Sequence, residues 1–243
     1  MMRVLALDTS TRSGGVALVE DNRVLDERSG DAERTHGERL PRDILDVLDR
    51  CGLSTADVDL FAVASGPGSF TGLRIGIATL QGLAFVHRRP MAAVSALEAL
   101  AHVASGEAAP GSVVCAWMDA QRRDVFSALY RVAPFELFDP RRLIEIDPPQ
   151  VAAPAVILER WRSAGMDRPV VFIGDGATAF ADGIRAAYPD ARISPHPALA
   201  GAIGRIGAAQ AAQGRVTEPA AIRPLYIRRP DAEVEREKRQ TLR

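Results

Sequence analysis

The sequence predicts an α/β protein built as two related lobes, each a mixed sheet with helices. Three observations carry that reading. Short apolar runs of strand length alternate with turn residues and with stretches of helical periodicity. Two strands end on an aspartate that opens a turn, at Asp8 and at Asp119, and these lie 111 positions apart. Two further strands run into glycine turns, at Gly66 and at Gly174, 108 positions apart. Two pairs of like units displaced by nearly the same amount indicate an internal duplication.

Taken in order, residues 4–8 form an apolar strand ending in the carboxylate of Asp8, and residues 9–15 are turn chemistry with two glycines. Residues 16–19 return as a strand, and residues 23–25 follow the Asp21-Asn22 turn, giving an antiparallel meander. Leu40, Ile44, Leu45, Val47 and Leu48 recur at helical spacing, and Cys51-Gly52 stops that helix. Ser54 opens a short helical turn before a buried-type strand over 60–64. That strand runs into the glycine loop over 65–72, and a helix covers 73–86. In the second half, residues 113–119 are a strand, Gln121-Arg122-Arg123 its turn, and residues 124–130 the returning strand. Residues 170–173 then lead into Gly174-Asp175-Gly176 and a helix over 177–187. Ser105-Gly106 and Pro110-Gly111 punctuate the chain between the halves. The expected division is a first lobe over 1–104 and a smaller second lobe over 105–204. A C-terminal segment of about 205–230 is expected to pack back on the first lobe, followed by a charged, solvated tail over 231–243.

Composition narrows the function. The 243 residues carry 30 Lys+Arg against 31 Asp+Glu, a net charge of -1, with 47% hydrophobic residues. That is ample for a buried core and argues against unaided nucleic-acid binding through a large basic face. Lys238 is the only lysine, so 29 of the 30 basic residues are arginine; a GC-rich genome and phosphate recognition both account for such a bias. Cys51 and Cys115 make no disulfide framework, and no C-x-x-C is present for zinc. Arg3, Asp8 and Arg12 interrupt the start, so no leader is expected. No apolar run reaches the ~18 residues of a membrane helix. The expected setting is the cytoplasm.

The run SGPGSFTGLRIG, residues 65–76, is the most informative segment. Gly66 and Gly68 permit positive φ beside the φ-locked Pro67, which makes a sharp exit from the strand. Thr71 suits the cap of the next helix, whose free N–H groups favour an anion, and Arg74 adds a charged fork. A tight strand-to-helix turn that binds nothing is the competing reading. The helix itself carries Ile75, Ile77, Leu80, Leu83, Ala84, Phe85 and Val86 with almost no polar face. Its glycines, Gly72, Gly76 and Gly82, each lower helix propensity by roughly 1 kcal/mol. A helix apolar all round is buried on all sides. Either its own sheet and a partner subunit cover opposite sides, the favoured reading, or it is a core helix wholly within the monomer.

A duplicated meander followed by α/β elements is the layout of the actin, sugar-kinase and Hsp70 superfamily, in which two lobes face across a cleft and hairpins cradle nucleotide phosphates. On that likeness Asp8, Gly66, Gly68, Ser69, Thr71 and Arg74 form a candidate phosphate or nucleotide loop. Asp8 and Asp119 are the two carboxylates that would flank the cleft, unless each only satisfies the N–H groups of its own turn. More specifically, the chain resembles the TsaB (YeaZ) family, the bacterial dimerization subunits of the complex that forms threonylcarbamoyladenosine (t6A) in tRNA. The matching residues are LALDTS at 5–10, His36 with Leu40-Pro41, GPGSFTGLRIG at 66–76 and VSALEA at 94–99. They continue through Asp119-Ala120 with Arg122, GDGA at 174–177, and Pro224 with Tyr226-Ile227-Arg228, so the likeness spans nearly the whole chain.

What the resemblance implies is an assisting role. The catalytic TsaD relatives hold a metal with an H-x-x-x-H pair, whose spacing sets two imidazoles on one helical face. Ala96 and Leu100 stand at those positions here and cannot ligate. No two of His36, His87, His102 and His196 are four apart. The expected protein is therefore a pseudo-enzyme without a metal or cofactor of its own, ATP and a metal belonging to the assembled complex. Its partner is TsaD, met through Leu40, Ile44, Leu48, Leu73, Gly76, Ile77, Leu80 and Leu83. TsaE, an ATPase, joins the pair, and TsaC supplies threonylcarbamoyl-adenylate. The tRNA is reached through the complex, at adenosine 37, and no membrane is involved. A homodimer through the same helices is the arrangement expected without TsaD. The rival readings are an ATP-dependent kinase using Asp8, Gly66, Gly68 and Asp119, and a metallopeptidase, which needs a metal cluster that the histidine spacing denies.

Overall fold

Strands β1 (Arg3–Asp8), β2 (Gly15–Glu20) and β3 (Arg23–Ser29) form the antiparallel meander, and β4 (Leu60–Gly66) and β5 (Met91–Ser95) extend it in parallel to β1. The sheet order is β3-β2-β1-β4-β5. A second sheet repeats this plan with β6 (Val113–Asp119), β7 (Val125–Val132), β8 (Leu143–Ala152), β9 (Pro169–Ile173) and β10 (Arg192–Ser194). Its order, β8-β7-β6-β9-β10, corresponds to the first strand for strand. The duplication read from aspartate and glycine spacing is thus a duplication of topology. The computed structural model describes residues 1–166 and 169–228, so the expected charged tail over 231–243 lies outside the described residues.

Helices cover both faces of the first sheet. Leu5 and Leu7 of β1 face α1 (His36–Arg50) and α2 (Phe70–His87), in a core with Leu40, Leu48, Ile77 and Leu80. Val4 and Ala6 face the opposite way, toward α3 (Ala96–Ser105) and α7 (Ala200–Ala212). A strand buried on both faces reads as an unbroken apolar run, which is why residues 4–7 show no alternation. α3 lies between the two sheets, its alanines packed among Ala116, Met118 and Ala128 of the second. α4 (Pro154–Ser163), α5 (Asp175–Ala179) and α6 (Ala181–Ala187) cover the outer face of the second sheet. There Trp117 meets Phe172 edge-on at 5.4 Å, and the Trp161 Nε1–H donates to Asp147 at 2.7 Å. Residues from Ala200 onward return to the first sheet. Gly204 and Gly207 let α7 lie close to it, since a Cβ there would stand 2.7 Å from Val19 and 2.8 Å from Ala62. Among the described residues no helix is long and apolar enough to cross a membrane.

Two local expectations are corrected. α2 starts at Phe70, and its cap is Ser69, whose Oγ accepts the Gly72 N–H at 3.2 Å. Thr71 is already inside the helix and exposed. The strand exit places Ser69, not Thr71, in the non-helical conformation that aims an oxygen back at the third helical N–H. The helix expected over 177–187 is two short ones, α5 and α6, broken at Phe180 (φ -113, ψ 26).

The buried α3 carries a histidine with a measurable consequence. His102 is 1% exposed and stacks on Phe138 at 5.6 Å. Burial, reinforced by the Arg142 guanidinium, holds its imidazole down at about 4. An unfolded histidine titrates near 6.5, so between pH 6.5 and 4 the unfolded chain binds a proton that the folded chain refuses. Stability therefore falls with acid across that window, by about 2–3 kcal/mol at pH 4.5 from this residue. Urea titrations at pH 7 and pH 4.5 are expected to show a smaller acid loss in His102→Phe than in the wild type. An equal loss in both would contradict this assignment.

Candidate functional site: the cleft between the lobes

A cleft of about 860 Å³ separates the two sheets' turns. The β1–β2 turn and the loop over 67–72 line one side, Asp119, Gln121 and Asp175 the other, and residues 225–228 run between them. Each turn opens on an Asx hydrogen bond from its strand-end aspartate. Asp8 Oδ1 accepts from the Ser10 N–H at 2.8 Å and its hydroxyl at 2.6 Å. Asp119 Oδ1 accepts from the Gln121 N–H at 2.8 Å, and Oδ2 from the Gln121 amide at 3.0 Å. Both carboxylates thus serve their own Asx turns. Asp175 Oδ1 accepts the N–H groups of Asp119 and Gly176 at 3.0 and 2.9 Å, tying α5 to the end of β6.

The glycine loop is explained by packing. Gly68 has φ +156, and a Cβ there would come closer than 3.0 Å to the Ser10 backbone. Cβ atoms at Gly72 and Gly76 would strike the Thr9 carbonyl and the Thr9 hydroxyl, also inside 3.0 Å. The Ser69 N–H donates to the Ser10 carbonyl at 2.7 Å. Gly66, joined to Pro67 by a cis peptide bond, lies under the Leu225 carbonyl, 2.7 Å from where its Cβ would be. Of the six expected loop residues, Gly68, Ser69 and Thr71 line the cleft, whereas Asp8, Gly66 and Arg74 are turned elsewhere. Arg74 donates through Nε to the Tyr226 hydroxyl at 2.8 Å and lies 3.9 Å over the Phe70 ring. Its fork is committed to the aromatic pair, so the expected phosphate cradle does not fit these contacts.

A buried network that the sequence reading did not assign holds the β1–β2 turn in place. His36 and Arg39, one helical turn apart on α1, are both buried. Arg39 donates to Asp43 at 2.6 Å, to the Ser13 carbonyl, and to His36 Nδ1 at 2.8 Å. That leaves the His36 Nε2–H to donate to the Thr11 carbonyl at 3.0 Å. Burial and then the Arg39 charge lower the His36 pKa, favouring this neutral form. Across the cleft, Arg228 donates to the Ala120 carbonyl at 2.6 Å and pairs with Asp124, so the C-terminal strap joins the two lobes. Leu225, in the same strap, donates its N–H to the Ser65 carbonyl at 2.7 Å.

The expected partner interface is corrected by burial. Leu40, Ile44, Leu48, Leu73, Gly76, Ile77 and Leu80 all lie inside the chain's own core, and Leu83 is half-buried. These positions form the faces of α1 and α2 that cover the sheet. α2 is not enclosed on all sides: Ala78, Gly82, Phe85 and Val86 face outward, with Phe85 79% and Val86 72% exposed. The outward apolar face of α1 is marked by Leu45. Ala96 and Leu100, which stand where the metal pair was sought, are fully buried in the apolar core and do not fit a metal. Among the described residues no three His, Cys, Asp or Glu side chains are grouped to hold one.

Two mixed sheets of corresponding order, facing across a cleft between paired Asx-turn hairpins, define a two-lobed protein of the actin and sugar-kinase fold. A component of the (R)-2-hydroxyglutaryl-CoA dehydratase of Acidaminococcus fermentans shares that fold, with a TM-score of 0.50 and 14% identity over 87% of this chain and 100% of its own. The family model for TsaD, tRNA N6-adenosine threonylcarbamoyltransferase, matches residues 29–235. The tRNA threonylcarbamoyladenosine biosynthesis protein TsaB of Bacillus subtilis is 34% identical over 173 residues, 71% of each chain. The solved structure of YeaZ from Pseudomonas aeruginosa covers 93% of this chain and 100% of its own, at 30% identity and a TM-score of 0.72. The chain belongs to the TsaB (YeaZ) family and carries a TsaD-family domain.

Proposed function

We propose that this chain is a non-catalytic subunit required for t6A formation at adenosine 37 of tRNA, where it binds and supports a TsaD-type catalytic chain together with TsaE. The observation that carries the reading is the outward stripe of α2. Phe85 and Val86 are large apolar side chains held in water on a rigid helix. Gly82, one turn before Val86, has open space where a Cβ would be, so a partner backbone can approach closely there. Exposed apolar surface of this kind marks association sites, and aromatic side chains dominate their energetics. The role in t6A is taken from the name of the Bacillus relative. A non-catalytic role is supported by the cleft, where Asp8, Ser69 and Arg74 of the expected loop are engaged with the chain itself. The interface is accordingly proposed on the outward residues of α2, with Leu83 at its edge. In that arrangement tRNA and the threonylcarbamoyl-adenylate made by TsaC meet the TsaD-type chain, and a second copy of this chain covers the stripe when the partner is missing. Reconstitution tests this: t6A forms when this chain and the TsaD-type chain are both supplied, and none forms on this chain alone.

A further inference from the structure

The outward face of α2 continues beyond its C-terminal end. Steps of four back from Val86 reach Gly82, Ala78, Arg74 and Phe70, and all of these are exposed. Residues so spaced stand one above the other on a helix, and Arg74 lies about 18 Å from Val86 along the axis. At that end the C-terminal strap supplies a neighbour. Tyr226 stacks on Phe70 with centroids 4.9 Å apart, and its hydroxyl accepts the Arg74 Nε–H at 2.8 Å. The guanidinium carbon stands 3.9 Å from the Phe70 centroid and 5.8 Å from that of Tyr226. The strap is itself pinned to α2, whose Gln81 amide donates to the Pro219 and Ile222 carbonyls at 2.7 and 3.3 Å.

Exposed arginines are common on this chain, and exposure does not distinguish Arg74. What does is that a ring and a hydroxyl hold it on the face that carries Phe85 and Val86, outside the cleft. Two other arginines lie over rings. Arg141, over Phe135, is neutralised by Asp139. Arg205, over Phe138, belongs to α7 on the opposite side of the first sheet. The contacts of Arg74 use Nε and one face of its guanidinium, and among the described residues nothing pairs with its two Nη groups. Phe70, Tyr226 and Leu225 surround it with exposed apolar surface. A cation already fixed in place loses little freedom when it pairs.

We propose that Arg74, positioned by Tyr226 of the C-terminal strap, is a second anchor of the α2 interface and takes a carboxylate of the TsaD-type chain. This rests on the subunit reading above and extends the partner's footprint along α2 to the strap. A partner seated on Phe85 and Val86 along this face also covers Arg74 and strips its water. A covered cation without a counter-charge opposes docking, so the partner that fits brings an acid to this point, flanked by apolar side chains. The Nη1–Nη2 edge offers two parallel donors, the pattern that matches the two oxygens of Asp or Glu. Phe85 and Val86 then supply apolar area, and Arg74 rejects an apolar helix that lacks the acid.

The test measures the affinity of the full chain for a TsaD-type chain by titration calorimetry, with a thermal melt of each variant. Arg74→Gln is expected to weaken association by at least about 10-fold, as loss of a charge-assisted hydrogen bond does. Arg162→Gln, at an exposed arginine of α4 in the second lobe, is expected to change nothing. Tyr226→Phe keeps the stack and removes only the hydroxyl that holds Nε. Alone it is expected to weaken association about 5-fold. In the Arg74→Gln background it is expected to cost nothing more, because the hydroxyl acts through Arg74. Arg74→Glu is expected to bind more weakly still, and to be rescued by changing one surface Asp or Glu of the TsaD-type chain to Arg, a restoration that an unfolded variant could not show. Unaltered affinity in Arg74→Gln overturns the proposal and leaves the subunit reading standing. So does equal loss from Tyr226→Phe in both backgrounds, or an Arg74→Glu defect that no partner reversal restores. Loss of self-association alone would assign the anchor to a second copy of this chain and overturn it as well. Failure of the wild-type chains to associate would overturn both readings.

Discussion

Replacing Phe85 and Val86 together with glutamate is expected to weaken association with a TsaD-type chain by at least about 30-fold and to leave the fold intact. Truncating one aromatic hot spot costs about 2 kcal/mol or more, which is about 30-fold in affinity. Two carboxylates buried against a partner without counter-charges add to that. The fold survives because both side chains already stand mostly in water, at 79% and 72% exposure. Leu80→Ala is the contrasting variant. Leu80 is fully buried in the core between α2 and its sheet, so its truncation costs about 2–5 kcal/mol of folding stability. Sedimentation of the mixed chains, with a thermal melt of each variant, separates the two effects. Unaltered affinity in the glutamate pair would remove α2 from the interface.

The second large effect concerns the joint between α2 and the β1–β2 turn. Gly72→Ala is expected to destabilise the chain by about 3 kcal/mol, because overpacking a rigid contact typically costs that much. For a chain of this size that is a fall of roughly 6–12 °C in melting temperature. The added Cβ meets the Thr9 carbonyl inside 3.0 Å, with the His36 ring and the Ser69 Oγ each at 3.1 Å. None of the three is free to withdraw: one is backbone, one is a buried ring held at both nitrogens, and one is the helix cap. Gly82→Ala on the same helix gives the opposite sign. No atom lies within 4 Å of that Cβ, so the gain in helix propensity, about 1 kcal/mol, is realised. Calorimetric melts of the two variants should move apart in opposite directions. A neutral Gly72→Ala would refute the packing explanation of the glycine loop.

The strands were legible because burial on both faces writes itself as an unbroken apolar run, and the duplication because Asp8 and Asp119 each open an Asx turn at a constant offset. What failed was orientation. An all-apolar helix does not reveal which side its sheet covers, and the inward Leu73, Ile77 and Leu80 are as apolar in sequence as the outward Phe85 and Val86. The glycines of the loop suggested an anion because glycine marks any close backbone approach; here the approaching backbone is the chain's own, at Thr9 and Ser10. Ser69 and Thr71 are both good caps two residues apart, and only the strand's exit direction chooses between them. α7 carries three glycines over 200–212, which lowers its helix propensity, yet Gly204 and Gly207 are what let it reach the sheet. Nothing local in the sequence signals that His36 and Arg39 both turn inward to hold the Thr11 and Ser13 carbonyls.

The central claim is that this chain assists t6A formation without performing it, through the outward face of α2. Its most direct test combines purified TsaD-type chain, TsaE, threonylcarbamoyl-adenylate and tRNA, with this chain supplied, withheld, or present as the sole protein. The readout is mass spectrometry of the tRNA nucleosides. The account predicts t6A when this chain and the TsaD-type chain are both present, none from this chain alone, and no restoration by the Phe85→Glu/Val86→Glu variant. Threonylcarbamoyladenosine made by this chain alone, or a full yield in its absence, would contradict it.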